Sequence, residues 1–234
     1  MNNYPCSDEL LTCIQGLYLN NFMQNQVSDN NSSQKPDNSW ITELGRTIVL
    51  SIVLALGIRT FVAEARWIPS GSMEPTLHGT PNQWEADKII VDKLSYRFST
   101  PHRGDIVVFL PTEELQKEQY QDAFIKRVIG LPGETIELKS GKVYINNQPL
   151  PEKYLASNQR TVTDVCTSGQ QPPYLSRPQT IPPNSYLVLG DNRNSSYDSR
   201  CWGVVPSKNI IGRAVFRFWP LNHIGQIDKT PLYP

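Results

Sequence analysis

Two serines separated by one glycine, in Pro69-Ser70-Gly71-Ser72-Met73-Glu74-Pro75-Thr76, are the first residues in the chain whose types and spacing could do chemistry. A serine hydroxyl becomes a nucleophile only when a base takes its proton, so a base must be found. The stretch is not G-x-S-x-G, which excludes the strained elbow of the α/β-hydrolases. Neither Ser70 nor Ser72 has a lysine three residues later, so a β-lactam-binding S-x-x-K enzyme fails on spacing. His78 sits near a Gly-Thr-Pro turn and reads as a surface-loop histidine, while His102 and His223 are far along the chain. There remains Lys126 in AFIKRVIGLPGE, a lysine in an otherwise apolar strand beside Arg127. Strand neighbours point to opposite faces, which predicts one of this basic pair inward and the other outward. Burial lowers a lysine pKa from about 10.4 toward neutrality, and a neutral amine can accept a serine proton. Taken alone, the stretch is better explained as a solvated basic pair at a strand end.

Composition removes other classes. The 22 Lys+Arg and 22 Asp+Glu residues cancel, and no Lys/Arg-rich run exists, so there is no electrostatic case for a nucleic-acid partner. Cys6, Cys13, Cys166 and Cys201 show no C-x-x-C spacing, and the three histidines are dispersed, so no metal is expected. Cys166 and Cys201 could pair in an oxidising compartment; sequence carries no distance, and the pairing stays open here.

The elements that must position these residues begin with a tail. Residues 1–40, rich in Asn, Gln and Ser, cannot bury enough apolar surface to order themselves and are predicted to be flexible. Residues 41–65 follow as a predicted transmembrane anchor: between Arg46 and Glu64 the only charge in 17 residues is Arg59. Those residues span roughly 25 Å as a helix, Arg59 lies near an end where it can snorkel, and Trp40 and Trp67 flank the run as interfacial anchors. Ala63-Glu64-Ala65 resembles a secretory cleavage site. The leader would be unusually long, however, and the chain ahead of the run is acidic, so the anchor is expected to stay attached. From residue 67 onward short runs rich in Val, Ile, Tyr and Phe alternate with turn residues, helped by 19 prolines and 14 glycines. DKIIVDKL, GDIVVFL, AFIKRVIG, TIEL, KVYIN, SYLVLGD and IIGRAVFRFW are predicted strands, with TIEL and KVYIN forming a hairpin across Lys-Ser-Gly. Helix beyond the anchor is expected to be sparse.

Four motifs in order, PSGSMEPTL, GDIVVF, KRVIGLPGE and GDNRNSSYDSR, closely resemble the type I signal peptidases, Ser/Lys membrane endopeptidases that remove secretory leaders. The resemblance covers roughly residues 41 to 220, and EARWIPSGSMEPTL is most similar to the cyanobacterial and plastid branch. It implies a mainly β fold of coiled antiparallel sheets, with a catalytic domain from residues 66–130 and 184–234. Residues 131–183 would form a hairpin plus a Pro-rich insertion. It further implies Ser72 as nucleophile, Lys126 as general base, and Ser70 with the Ser72 N–H as oxyanion donors. Ser196 would orient the lysine amine, and Asp198 with Arg200 would brace the site. Gly71 is expected to let the backbone between the serines adopt a conformation other residues resist. Tyr197 stands where other members can carry a smaller residue. Ile68, Met73, Leu77 and Ile125 are the implied lining of two shallow pockets for an A-x-A site. No cofactor is implied. The implied partners are preprotein signal peptides and membrane lipid, with the secretion translocon as a candidate. The tail would be cytoplasmic and the catalytic domain periplasmic or lumenal. Two alternatives remain: a Ser/Lys autoprotease of the SOS-repressor type, which would lack the anchor, and an inactive, membrane-tethered β domain that binds peptides.

Overall fold

The structure, a computed structural model, describes residues 39–167 and 172–227. The expected flexible tail therefore lies outside the described residues, save for its last two, which open a helix. That helix, α1 (Ser39–Phe61), carries apolar side chains on every face, and from Trp40 on none of its 22 residues is buried. Among the described residues it is the one helix long and apolar enough to cross a membrane, with a mean hydropathy of 1.8. It ends four residues short of the expected anchor boundary, and Ala63-Glu64-Ala65 begins a strand instead. The chain divides by contacts into two units, one ending at Val53 and one from Leu54 onward.

The second unit is antiparallel β. Its strands are β1 (Ala63–Trp67), β2 (Lys88–Asp92), β3 (Ile106–Phe109), β4 (Phe124–Gly130), β5 (Thr135–Lys139), β6 (Lys142–Ile145), β7 (Gln148–Pro149), β8 (Gln179–Thr180), β9 (Ser185–Leu189), β10 (Val205–Pro206), β11 (Ile210–Trp219) and β12 (Gly225–Gln226). The larger sheet runs β1-β2-β11-β3-β4-β9-β10, with β12 also on β11; the smaller runs β7-β6-β5-β8. Helix is otherwise scarce, with α2 (Glu113–Lys117) and α3 (Ser199–Trp202) each about one turn long. The predicted hairpin is β5–β6. Ser140 and Gly141 at its tip both have positive φ, 52° and 77°, as a two-residue turn matched to strand twist requires.

Sequence pattern explains which strands lie deep. In β2, Ile89 and Val91 are buried while Lys88, Ile90 and Asp92 are half-exposed, the alternation of a sheet wet on one side. In β3 and β9 every residue is buried, and in β4 every residue but Phe124, so these central strands are covered on both faces. One core face joins Val107, Phe109, Val128, Val188 and Trp202; the other joins Ile68, Met73, Leu77, Ile89, Val108 and Ile125. Each such side chain contributes about 1.5–3 kcal/mol by leaving water. Double coverage corrects one expectation: Lys126 and Arg127 do point to opposite faces, but both are buried, at 3% and 1% exposure. The outward side of β4 is another core. Cys166 and Cys201, left open by the sequence, are joined in a disulfide within the first core.

Candidate active site

Ser72 lies in a short 3-10 turn, Gly71–Met73, and Lys126 in the middle of β4; the fold brings Lys126 Nζ to 2.9 Å from Ser72 Oγ. The amine also donates to the Ile125 carbonyl at 3.0 Å and sits 5.7 Å from the Phe124 ring centre. The positions of both groups are over-determined. Lys126 pairs with Val107 in the β3–β4 ladder. The Ser72 carbonyl accepts from the Asn192 N–H at 3.1 Å, and Asn192 Nδ2 donates to the Gly71 carbonyl at 3.1 Å. Ser70 Oγ donates to Ser72 Oγ at 3.4 Å, so two polar groups, this hydroxyl and the Lys126 amine, converge on the Ser72 hydroxyl.

Electrostatics decide what the amine can do. Burial pushes the Lys126 amine down from 10.5 to about 8, overcoming the opposing pull of Asp198 and Asp191, with Arg200 adding to the downward shift. Asp198 and Arg200 form a fully buried pair: Arg200 Nε and one terminal nitrogen donate to the two carboxylate oxygens at 2.8 and 2.9 Å. Burial alone would raise Asp198, but the Arg200 charge and hydrogen bonds, with the Gly190 N–H, outweigh it and hold the carboxyl low. The pair braces its surroundings, since Asp198 accepts from Gly190 N at 3.0 Å and Arg200 donates to the Ser196 and Val162 carbonyls.

Two of the expected details differ. Ser196 Oγ is buried but makes no hydrogen bond among the described residues, so the expected bond to the lysine amine is absent. It packs instead on Gly190, where an added Cβ would come within 2.2 Å of Ser196 Oγ and 2.5 Å of the Ser72 carbonyl. Gly190 is thus required at the site, as is Gly79, where a Cβ would come within 1.8 Å of the Ser70 carbonyl. Gly71 is not: its φ is not positive, and a Cβ there would meet only the flexible end of Glu74 at 3.3 Å. The four implied pocket residues also divide. Ile68 and Ile125 line a cleft of about 370 Å³ beside the Ser72–Lys126 pair, whereas Met73 and Leu77 are fully buried beneath it and are not among its lining residues.

Other residues at the site were not foreseen. Arg127 grips Asp191 through two bonds of 2.8 and 2.6 Å, and donates to the Gly104 carbonyl at 2.9 Å, locking β4 to the loop after β9. Arg193, equally buried, pairs with Glu152 and donates to the Gly190 carbonyl, which ties residues 150–161 to the same loop. Tyr197 donates to the Glu118 carboxylate at 2.7–2.8 Å, so the residue that departs from the family pattern closes a further contact. Asp191, Asn192 and Arg193 all stand inside GDNRNSSYDSR, and the charges of Asp191 and Arg193 within that motif were the available signal. His78 Nδ1 lies 2.9 Å from the Glu74 carboxylate, and its exposed side chain makes no bond to Ser72. Among the described residues no group of three His, Cys, Asp or Glu side chains is placed to hold a metal ion.

Residues 41–219 match the family described as signal peptidase, peptidase S26. A signal peptidase I from Leptolyngbya laminosa is 52% identical over 86% of this chain and 91% of its own length. A probable signal peptidase I-2 from Synechocystis sp. is 49% identical over 81% of this chain and 78% of its own. A probable thylakoidal processing peptidase 2 of Arabidopsis thaliana is 34% identical, covering 81% of this chain and 49% of its own length.

Proposed function

The chain belongs to the signal peptidase family, peptidase S26, as an enzyme of the signal peptidase I type, and we propose that it cuts preproteins with a Ser72–Lys126 dyad. The observation that carries this reading is the 2.9 Å separation of Ser72 Oγ from a buried amine whose pKa is near 8. At neutral pH roughly a tenth of such an amine is uncharged, and that fraction can accept the serine proton.

In the proposed reaction Ser72 Oγ attacks the scissile carbonyl while its proton passes to Lys126 Nζ. The tetrahedral oxyanion accepts from the Ser72 N–H and the Ser70 hydroxyl, each donor contributing about 3 kcal/mol. The C–N bond then breaks as the Lys126 ammonium gives its proton to the leaving amine. An ester on Ser72 remains, and water attacks it with Lys126 again as base, releasing the leader's carboxylate and restoring the hydroxyl. Ser196, with an uncommitted hydroxyl beside Ser72, is the residue proposed to steady the amine once substrate is bound. Asp198 and Arg200 hold that loop in place.

Substrate is proposed to enter extended. Among the described residues β1 is the free end of the large sheet, and residues 124–126 of β4 have no partner on the side that β9 occupies from Arg127 onward. The alternating ladder makes β1 and β4 run in the same direction, flanking one cleft floored by Ile89 and Val108. A peptide laid between two such edges gains main-chain bonds, as in β-augmentation. Ile68 and Ile125 at the cleft's near end leave shallow apolar space suited to the two alanines of A-x-A. The helix α1 is proposed to span the bilayer uncleaved: 22 residues give about 33 Å, against a hydrocarbon core of about 30 Å. With the tail cytoplasmic, the β unit would face the periplasm or lumen, where the Cys166–Cys201 disulfide is stable. The helix disfavours a soluble autoprotease, and the seated dyad disfavours an inactive binding domain.

Detergent-solubilised protein incubated with an A-x-A preprotein is expected to release the leader, and Ser72→Ala and Lys126→Ala are each expected to abolish release. Unimpaired processing by either variant would overturn the mechanism.

A further inference from the structure

Beyond the apolar near end, the cleft has a charged far end. Glu64 and Arg66 of β1 line one wall and are paired at 3.0 Å, with Lys93 also 3.6 Å from Glu64. The opposite wall carries Asp122, just ahead of β4, exposed and without a hydrogen bond or ion pair among the described residues. Arg66 and Lys93 share the Glu64 carboxylate, whereas Asp122 is the charge in the cleft lining that has no ion-pair partner among the described residues.

We infer that Asp122 is a specificity-determining residue, which favours a basic side chain and disfavours an acidic one several residues before the cut bond. This rests on the reading of the cleft as the seat of the leader side of the substrate. The direction follows from the fold: β1 and β4 both run toward the dyad, so the cleft leaves it backward along each strand. Small apolar residues of A-x-A occupy the end near Ile68 and Ile125, and earlier residues occupy the end near Asp122. Asp122 precedes Lys126 by four positions, in the bend just ahead of the strand that begins at Phe124, so it lies at most about 13 Å back at about 3.3 Å per residue. An extended substrate covers that length in about four residues, so its fifth residue before the cut comes level with Asp122. Side chains there stand at the cleft mouth, in contact with water, and the attraction is that of an exposed ion pair: roughly two- to five-fold in kcat/KM per charge change, diminishing with salt.

The test uses full-length, detergent-solubilised protein and three preproteins identical except for Lys, Gln or Glu at the fifth position before the A-x-A cut. The wild-type kcat/KM is expected to fall in the order Lys, Gln, Glu, by roughly two- to five-fold at each step at low salt. Asp122→Asn is expected to bring the Lys-to-Glu ratio within about two-fold, and Asp122→Lys to invert it. Equal cleavage of the three by wild type, or a ratio that survives in Asp122→Asn, overturns the inference and leaves the dyad intact. Failure to cut any of the three overturns the functional reading and the inference with it.

Discussion

Lys126→Met is expected to abolish cleavage and yet make the protein harder to unfold at pH 7. The lysine is buried, and its pKa drops from 10.5 to about 8 on folding. At about 1.4 kcal/mol per pH unit, holding the charged form inside costs about 3 kcal/mol relative to the neutral amine. The sign is set by proton counting. Below pH 8 both states carry the proton and the full cost applies. Between 8 and 10.5 the unfolded chain keeps a proton that the folded chain has lost, so stability rises with pH, and above 10.5 the cost is gone. Methionine fills similar space without charge but leaves Ser72 without its partner, which returns about 1 kcal/mol. The net gain at pH 7 is about 2 kcal/mol, or roughly 4–8 °C in melting temperature for a chain of this size. Thermal unfolding of the solubilised full chain, wild type against Lys126→Met, at pH 7 and pH 9.5, measures it. By pH 9.5 the advantage is expected to vanish. A variant less stable than wild type at pH 7, or an advantage independent of pH, would refute a buried, strained amine. The same group is then responsible for both lost stability and gained reactivity.

Three further outcomes are expected. Because only the neutral amine can accept the serine proton, kcat/KM should climb about ten-fold per pH unit below the Lys126 pKa and level off above about 8; a profile flat from pH 6 to 9 would exclude this base. Ser196→Ala removes a buried hydroxyl that bonds nothing among the described residues, so unfolding free energies from denaturant titration should stay within about 0.5 kcal/mol of wild type while kcat drops roughly ten-fold or more. Reducing the Cys166–Cys201 bond, or replacing both residues with serine, reopens a loop whose ends are 35 residues apart and should lower unfolding free energy by about 3–4 kcal/mol, read by chemical denaturation with and without reductant.

Local pattern accounts for what could be read early. The β5–β6 hairpin follows from two alternating runs and a turn whose residues tolerate positive φ, all within eleven residues. The apolar helix follows from composition alone, although its end at Phe61 does not, because Ala63–Trp67 is drawn into pairing with β2, some 25 positions later. Ser72, Lys126 and the Asp198–Arg200 pair were named through motif resemblance, since no periodicity links residues 54 positions apart. Arg127 was misjudged because alternation gives a face but not what covers it; Asp191 and a second core make its face an interior one.

Residue order along the chain was enough to locate the strand-forming segments and the span-length apolar helix. Those depend on residue types within a few positions of each other. The tertiary structure alone decided that the central strands are covered on both faces, that Cys166 meets Cys201, that Met73 and Leu77 are core while Ile68 and Ile125 reach the cleft, and that Ser196 keeps a free hydroxyl. Each of those depends on which distant strand lies alongside, and the energy that selects it is burial summed over the whole sheet.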